Sequence, residues 1–476
     1  MNQERLPEDR LFLTYARTFS REGAQRAADG DPTLQERYDI ASILSEVAEM
    51  QELPVSDFVT RYGQIAPTVP AEVRSYLLLF YLHHQQTLVN LSDLEQVEAA
   101  VDNCPGDPAI DALLVQCMRG YQTVLRGRVV DAVNHLSEQL VYVDQTKDTL
   151  YGQYVRALLH RNLGVAYQRA GDFHASQNQL AKASEISSRQ GFLLEISCNW
   201  HLGSLQWASG QHRLALETHK NERIRELARA TNSTNLLLHS HISAAKCALD
   251  LKATQAAAAE LQAAQDLLAT TENPWPEVHG YMLLYRGECE VQQEAFETGL
   301  TLLKEAQSYF EALDPRHFPG ALEAKISLAH FALFERDYKT AMAIFQKLLH
   351  EAEEHGCLEA RSRLLVLEAY LFITEDPPLA DAYADLLTRV HLINNPALLF
   401  RALGNLYTYA LEYLEEPDQL FLLERIRNLR PTLEKSCYND LYQRYVVERY
   451  QYAIENRLAR YVDEDWVEWN DGELAE

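Results

Sequence analysis

Glycine and proline are scarce in this sequence, with 19 and 16 residues among 476, whereas Ala, Leu, Glu and Gln are abundant. Because glycine and proline disrupt helices and the four abundant residues favour them, the composition predicts a mostly helical chain. A length of 476 residues with 47% hydrophobic content allows a large core. Ordinary globular folds of this length divide into several domains, but a chain of stacked repeats need not, because each repeat contacts only its neighbours.

The seven cysteines lie far apart, and none forms a closely spaced pair. Disulfide frameworks and zinc sites need paired or closely spaced cysteines, so we predict neither a disulfide framework nor a metal site. The sequence has no apolar run at its start and no apolar window as long as a membrane span. These absences predict a soluble protein located in the cytoplasm.

Basic residues are outnumbered, 43 against 69 acidic ones, which gives a net charge of −26. Such a chain repels phosphate backbones and anionic lipid surfaces, so we expect neither nucleic acid nor a membrane as partner. Residues 1–66 have helical patterns that could form a small DNA-binding domain, but their 12 acidic and 7 basic residues give the wrong charge for phosphate contact. We therefore predict that residues 1–66 form an N-terminal helical cap.

Motifs for catalysis are also missing. The close histidine pairs, His83-His84, His239-x-His241 and His350 with His355, lack the spacing of four residues and the glutamate that place two imidazoles around zinc. There is no glycine-rich phosphate loop and no GxSxG elbow. We predict no catalytic residue, no cofactor and no enzymatic activity.

The sequence does contain a clear helical hairpin at residues 163–183. Leu163 and Tyr167 lie four residues apart on one helix face, and Gly164 between them leaves room for a second helix to approach. Gly171-Asp172 favours a turn. A second apolar series follows at helical spacing, from Phe173 through Leu180 and Ala183. Two amphipathic helices of this kind bury their apolar faces only against stacked neighbours.

Weaker copies of this hairpin recur along the chain. The position of Gly164 recurs at residues 120, 164, 203, 243, 287 and 329, with a period of 39 to 44 residues. Two further units are predicted at residues 358–392 and 397–432. Together with a helix pair near residues 76–101, these units predict about eight to ten hairpins.

The repeated pattern resembles the tetratricopeptide repeat, whose signature is W-x2-L-G-x2-Y, then A-x3-F, then P. Leu163-Gly164-x2-Tyr167 matches its first half and Ala341-x3-Phe345 its second, whereas His160 and Ser176 depart from it. The period exceeds the usual ~34 residues, which implies longer helices, as in MalT-like regulators and Rap-type peptide sensors. Over residues 108–432 the resemblance implies an all-α, right-handed superhelix of stacked antiparallel hairpins.

The predicted organisation has four parts: the cap at 1–66, the solenoid at 67–432, a C-terminal capping helix at 433–461, and an acidic tail at 462–476. The tail contains Trp466 and Trp469. Acidic tails are commonly solvating segments. Two tryptophans so close together are unusual for such a tail, so a docking segment, in cis or to a partner, is the alternative, because tryptophan is enriched at binding hot spots.

In the tetratricopeptide family the first helix of each pair lines the concave face, which binds the ligand. The resemblance therefore implies a groove formed by Arg161, Asn162, Gln168, Arg169, Trp200, His201, Trp207, His241, Tyr285 and Glu288. The pair Arg161-Asn162 is similar to the Lys/Arg-Asn pairs with which some of these domains hold a peptide. The alternative is that Trp200 and Trp207, two helical turns apart, are packing residues between helices.

These features predict a non-enzymatic scaffold or regulatory adaptor that binds another protein or a peptide in its groove. A peptide-responsive signalling sensor of the Rap type, acting on a regulator protein, is the alternative.

Overall fold

A computed structural model describes twelve ranges of the chain: 54–69, 71–84, 91–143, 149–192, 194–230, 234–271, 274–313, 317–354, 358–372, 380–393, 396–414 and 416–429. Residues 1–53 of the predicted cap, the predicted capping helix at 433–461 and the tail with Trp466 and Trp469 lie outside these ranges. Within the described ranges the regular structure is helical, with no strand.

The first part of the described chain contains α1 (Val55–Ile65), a 3-10 turn (Ala66–Thr68), α2 (Ala71–His84) and α3 (Leu91–Asn103). The remaining helices of the predicted solenoid follow as α4 (Pro108–Leu125), α5 (Val129–Val143), α6 (Leu150–Arg169), α7 (Phe173–Gln190), α8 (Leu194–Ala208), α9 (His212–His219), α10 (Glu222–Ala230), α11 (Thr234–Asp250), α12 (Thr254–Leu268), α13 (Pro276–Gln292), α14 (Phe296–Ala312), α15 (Phe318–Phe334), α16 (Tyr338–Glu354), α17 (Leu358–Phe372), α18 (Ala380–Val390), α19 (Pro396–Tyr413) and α20 (Glu416–Arg427). Consecutive helices pack against each other as hairpins, and each hairpin packs against the next. The predicted all-α superhelix of stacked antiparallel hairpins is confirmed.

The turn inside the hairpin is the same in six units. Its central residue has a positive φ, and its amide donates to the carbonyl three residues earlier, while the next amide donates to the carbonyl five residues earlier. The central residues are Gly127, Gly171, Gly210, Lys252, Glu294 and Arg336. Glycine meets this requirement without strain, because it has no Cβ. Three units nevertheless adopt the turn with a side chain present.

Seven residues before each turn lies the small residue that lets the two helices touch. A Cβ on Gly164 would lie 2.8 Å from Cγ of Leu180, and one on Gly287 would lie 3.0 Å from Cγ of Leu303. The contacting residue always follows the small one by sixteen positions. The six pairs are Gly120 with Leu136, Gly164 with Leu180, Gly203 with His219, Ala245 with Leu261, Gly287 with Leu303, and Ala329 with Phe345.

These two features correct the predicted register of one unit. The sequence pattern placed the equivalent of Gly164 at Ser243, with Asp250 in the turn. In the structure the turn residue is Lys252, with a φ of 58°, and the small residue is therefore Ala245. The error arose because neither position in this unit is glycine.

The second helix of the third unit is broken, which the sequence pattern did not predict. α9 ends at His219, and α10 begins at Glu222 after a bend at Asn221. The side-chain oxygen of Asn221 accepts the amide of Ile224 at 3.4 Å, which supports the start of the new helix. Ile224 and Ala228 of α10 pack against Ile196 and Leu237 of the adjoining first helices.

The superhelical turn brings distant units together. α6 contacts α17, although about two hundred residues separate them along the chain. One apolar cluster also joins Val129 and Ala170 of the early units to Phe318, Leu367 and other residues of the later ones. The first helices of the intervening units are therefore arranged around a shared interior.

The turn geometry predicts that Arg336→Gly stabilises the protein by about 0.5–1 kcal/mol, because glycine removes the cost of a side chain at a φ of 59°. Gly171→Ala should destabilise it by about 1–2 kcal/mol for the same reason. Urea unfolding measures both changes. Glu335→Gly is the matched control, since Glu335 has a φ of −74°, and a gain in stability there would contradict the explanation.

Candidate functional site

The interior is lined by one face of the first helices. Counted from the small residue of each unit, the positions one and five residues later lie on one helix face. The residues one position later are Tyr121, Val165, Ser204, Lys246, Glu288 and His330. Those five positions later are Leu125, Arg169, Ala208, Asp250, Gln292 and Phe334. All of them line two adjoining cavities.

The same face extends towards the helix N-terminus in the later units. The positions two residues before the small residue contribute His201, Ser243, Tyr285 and Ser327, and those six before it contribute His239, Tyr281 and Glu323. These spacings follow the helical repeat. The inner surface is therefore a repeated feature of the units, although its chemistry differs at every step.

The first cavity has a volume of about 110 Å³ and lies between α4, α6, α8, α11, α13 and α15. Its walls are aromatic. The ring centroids of Trp200 and His239 lie 4.8 Å apart, and that of Trp275 lies 5.4 Å from His239. The indole Nε1 of Trp200 donates to Ser243 Oγ at 2.8 Å, which fixes the ring in this wall.

Buried ionisable groups also line the first cavity. Burial lowers the pKa of His201 well below its usual value and lowers that of His317 to about 4, so both imidazoles are neutral at pH 7. Glu277 lies 3.6 Å from Nε2 of His239. Although burial favours the protonated carboxyl, the contact with His239 lowers the pKa of Glu277 overall. The cavity therefore combines aromatic faces with neutral imidazoles and the carboxyl groups of Glu277 and Glu323.

A charged cluster separates the first cavity from the second. Nζ of Lys246 lies 3.4 Å from the ring centroid of Trp207 and 2.6 Å from Oε1 of Glu323. The guanidinium of Arg363 lies on Trp207 at 5.5 Å and also 3.7 Å from Glu323, to which the Tyr285 hydroxyl donates at 3.0 Å. Burial raises the pKa of Glu323, but Lys246 and Arg363 outweigh it and lower the pKa to about 2. Glu323 is therefore ionised at neutral pH.

The second cavity has a volume of about 430 Å³ and lies between α8, α11, α13, α15, α17 and α19. Ligand pockets commonly have volumes of about 300–1,000 Å³. One of its carboxyl groups belongs to Glu288, whose Oε1 accepts a hydrogen bond from the Ser327 hydroxyl at 2.5 Å. Burial, together with Glu323 and Asp250, raises the pKa of Glu288 to about 7, although Ser327 and Arg363 oppose the shift.

Seven of the ten predicted groove residues line these cavities. Gln168, Arg169, Trp200, His201, Trp207 and Tyr285 line the first, and Trp207 and Glu288 line the second. Arg161, Asn162 and His241 line neither cavity. Trp200 and Trp207 line the cavities and also pack between helices. They therefore fit both the predicted groove and the alternative of packing residues.

Arg161 and Asn162 are buried and bonded to each other. Nε and Nη2 of Arg161 donate to Oδ1 of Asn162 at 2.9 and 2.7 Å, and Nη1 donates to Ser197 Oγ at 3.1 Å. Asn162 in turn donates to the Cys117 carbonyl at 3.3 Å. Their exposed fractions are 1% and 0%. The pair joins three first helices internally, and holding a peptide with it would require opening these contacts.

His241 faces the second helix of its own hairpin. Its Nδ1 lies 2.7 Å from Glu260, which also pairs with Arg225 at 3.0 Å. The difference of two residues in the register of this unit explains the misplacement. The correct register places His239, Ser243 and Lys246 on the inner face.

The sequence pattern did not single out Lys246, Glu277, Glu323, Arg363 or Arg401. The helix carrying Lys246 lacks a glycine at the small position, and the helices carrying Glu323, Arg363 and Arg401 were predicted only as packing units. Counting from Ala245 and Ala329 would have identified Lys246 and Glu323 as inner residues. Arg363 and Arg401 are brought there by the superhelical turn.

His219 occupies a position that is apolar in the other units. It packs on Gly203 as Leu180 packs on Gly164, and its Nδ1 has no hydrogen-bond partner among the described residues. Burial, with Arg225 and Lys246 nearby, lowers the pKa of His219 to about 3. The ring also lines the first cavity. Packing alone would favour leucine here.

Two other features are missing from the described ranges. No group of three His, Cys, Asp or Glu side chains there has an arrangement that could hold a metal ion. Among the same residues, no helix is both long and apolar enough to cross a membrane.

Solved structures with similar helical repeats resemble this chain. A Rap protein complexed with competence and sporulation factor is 13% identical and aligns with a TM-score of 0.52, over 80% of this chain and 99% of that chain. Yeast Tom70 is 13% identical with a TM-score of 0.37, over 95% of this chain and 99% of that one. A STAND protein from Pyrococcus horikoshii with a tetratricopeptide repeat sensor is 12% identical, with a TM-score of 0.38, over 92% and 74%. No family model and no curated protein matches the sequence.

At these identities the likeness concerns the fold, and the alignment with the Rap protein is the one that supports it. It agrees with the tetratricopeptide-like superhelix predicted from the repeated hairpin.

Because His219 occupies a position that is apolar in the other units, we expect His219→Leu to stabilise the protein by about 1–3 kcal/mol at pH 7. The substitution removes a buried nitrogen without a hydrogen-bond partner among the described residues. The advantage should grow as the pH falls below 6.5, since the imidazole binds a proton in the unfolded chain while the folded one stays neutral down to about pH 3. Urea unfolding at pH 7 and pH 5 measures both effects. The exposed His174→Leu is the control, and equal pH dependence in the two variants would contradict the prediction.

The carboxyl groups of Glu288 and Glu323 predict opposite effects of the same substitution. The neutral carboxyl of Glu288 stabilises the fold fully below pH 4.5, and this contribution is lost as the pH rises through about 7. Glu288→Gln should therefore stabilise the protein by about 1–2 kcal/mol at pH 8 and have little effect on stability at pH 4.5. The gain at pH 8 is smaller than the full pKa shift implies, because Glu288 borders a cavity. Glu323→Gln should destabilise it by about 3 kcal/mol at pH 7, since it leaves Lys246 without its carboxylate. Denaturant unfolding of both variants between pH 4.5 and pH 8 measures these changes in stability. A loss of stability in Glu288→Gln at pH 8 would contradict the raised pKa of Glu288.

Proposed function

We propose that this chain is a non-enzymatic scaffold or regulatory adaptor that binds a peptide segment of another protein in its two inner cavities. The observation that carries the proposal is the repeated inner face. Successive first helices contribute the positions one and five residues after the small residue to adjoining cavities. A surface that repeats along a superhelix matches a ligand that is itself extended.

The chemistry of the cavities fits a peptide. Trp200, Trp207 and Tyr285 supply aromatic surface, and such residues dominate binding energy where protein surfaces meet. The neutral imidazoles of His201 and His317 can each donate or accept a hydrogen bond, as peptide amides and carbonyls require. The volume of about 430 Å³ in the second cavity leaves room for side chains.

The proposed ligand residues follow from this geometry. Gln168, Arg169, Trp200, His201, Trp207, Tyr285 and Glu288 would contact the peptide directly. Arg161 and Asn162 would support the wall, because they bond to each other and to Ser197. The likeness in fold to a Rap protein complexed with competence and sporulation factor is consistent with a peptide ligand.

A peptide-responsive sensor of the Rap type is a second candidate, and one contact favours it. α6 packs against α17 across the interior, so a ligand between the first helices would act on both ends of one superhelical turn. A small peptide could then change the surface that a regulator protein recognises. Cross-linking mass spectrometry with and without bound peptide would show a changed distance between α6 and α17 in a sensor and an unchanged one in a passive scaffold.

Site-specific photo-crosslinking tests the main proposal. A photoreactive residue at Ser204, on the inner face of α8, should capture a partner from native lysate, and mass spectrometry would identify the cross-linked peptide. The same residue at Lys182, exposed on the outer helix α7, is the control. Capture from Lys182 alone, or equal capture of the same proteins from both positions, would refute binding in the interior.

A substitution complements the crosslink. Trp207→Phe keeps an aromatic ring but removes the indole nitrogen that donates to Asp250 and weakens the cation–π contact with Lys246. We expect capture at Ser204 to fall by about tenfold if this ring contacts the peptide. Arg189→Gln on the outer face of α7 should leave capture unchanged. If the yield of capture at Ser204 is unchanged in Trp207→Phe, Trp207 is not part of the binding surface.

A further inference from the structure

The second cavity differs in charge from the protein around it. The whole chain carries a net charge of −26. Four cationic side chains nevertheless line this cavity, Lys246, Lys252, Arg363 and Arg401, against the three carboxyl groups of Asp250, Glu288 and Glu323. Acidic side chains outnumber basic ones over the whole protein. An excess of basic side chains in this one cavity therefore points to an anionic ligand.

The carboxyl groups in the cavity are already engaged by neighbours. Glu323 binds Lys246 and Tyr285, Asp250 accepts the indole nitrogen of Trp207, and Glu288 accepts the Ser327 hydroxyl. The contacts of Glu323 and Asp250 lie at the boundary with the first cavity, because Trp207, Lys246 and Glu323 line both cavities.

Three of the cations also lie close to a further group of the cavity. Arg401, Arg363 and Lys252 come from α19, from α17 and from the turn after α11, and they line the cavity together with the half-buried His330. Arg363 also contacts Glu323 and Trp207. Burial and these cations lower the pKa of His330 to about 3, so the ring is neutral and can donate a hydrogen bond. Three separate elements therefore bring positive charge to one part of the cavity.

An apolar surface lies beside these cations. On α17, Arg363 and Val366 are three residues apart, and on α19 Leu398 and Arg401 have the same spacing, so each helix presents one arginine and one apolar side chain on one face. Phe334 of α15 completes the surface with 60% of its side chain exposed. Exposed aromatic surface beside arginine is typical of a binding site.

We propose that the second cavity binds an amphiphilic carboxylate, an apolar group that ends in a carboxylate. Its apolar part would pack on Phe334, Val366 and Leu398. Its carboxylate would bind Arg363 and Arg401, because a guanidinium pairs with a carboxylate through two parallel hydrogen bonds. Two sources share this chemistry: the last residue of a partner peptide and a free aliphatic acid. The proposal goes beyond the proposed function, because a free acid would satisfy it without any protein partner.

Calorimetric titration of the full chain with matched probes tests the proposal. Octanoate and 1-octanol share an apolar chain and differ in the carboxylate, and N-acetyl-leucine and its N-methylamide stand for a free and a blocked peptide end. We expect at least one acid to bind about tenfold more tightly than its neutral counterpart. Binding of N-acetyl-leucine alone would assign the ligand to a peptide terminus, and binding of octanoate alone to a free acid.

Three variants separate charge from apolar contact. Arg401→Gln should reduce the preference for the acid over the neutral probe by about tenfold. Lys252→Gln, at an exposed position, should reduce it by about threefold. It serves as the second variant in case Arg401→Gln fails to fold. Phe334→Ala should weaken acid and neutral probes alike and leave their ratio unchanged. Arg189→Gln on α7 removes the same charge outside the cavity and should change neither value.

The proposal fails if neither acid binds, if the neutral probes bind as tightly as the acids, or if Arg401→Gln and Lys252→Gln both preserve the preference. Capture at Ser204 reports the first cavity independently. Successful capture with failed titrations would therefore overturn only this inference, whereas bound acids without capture would overturn only the proposed function.

Discussion

The structure depends on one packing constraint: two amphipathic helices of a hairpin cannot bury their apolar faces without a neighbour on each side. Each unit meets this constraint through a small residue on its first helix and a large residue sixteen positions later. Gly164 with Leu180 is one example, because a Cβ on Gly164 would collide with the leucine. The positive-φ turn at Gly171 lies between Gly164 and Leu180 and fixes their separation at sixteen residues. Stacking then repeats the contact from unit to unit.

This constraint acts on one face of each first helix and leaves the opposite face free to vary. Along that inner face, the position after the small residue is Val165 in one unit, Lys246 in another and Glu288 in a third. Packing explains none of these changes, since the small residue and the positive-φ turn recur in all these units. The superhelical turn gathers them into two cavities. A fold with a uniform core thus carries an interior that differs in charge and polarity from step to step.

The buried polar groups show where the two requirements meet. His219 occupies the place of a leucine, and burial keeps its ring neutral. Glu288 and Glu323 are two positions of the same inner face, yet the pKa of one is raised and that of the other lowered. The difference comes from Lys246 and Arg363, which compensate for burial only at Glu323. Ionisation in the interior is therefore decided by neighbours from other units.

The local pattern of the sequence determined the helices, the hairpin turn and the stacking, because helical periodicity, glycine at a positive φ and apolar spacing are properties of neighbouring residues. The resemblance to the tetratricopeptide repeat also implied Gln168, Trp200 and Tyr285 as groove residues, and they line the first cavity, whereas Arg161 and His241 from the same prediction do not. Only the tertiary structure decided that Arg161 bonds to Ser197, and that Arg363, Arg401 and His330 line one cavity. Those groups lie on different helices, and which helices face each other depends on the angle between successive units, summed over a whole superhelical turn.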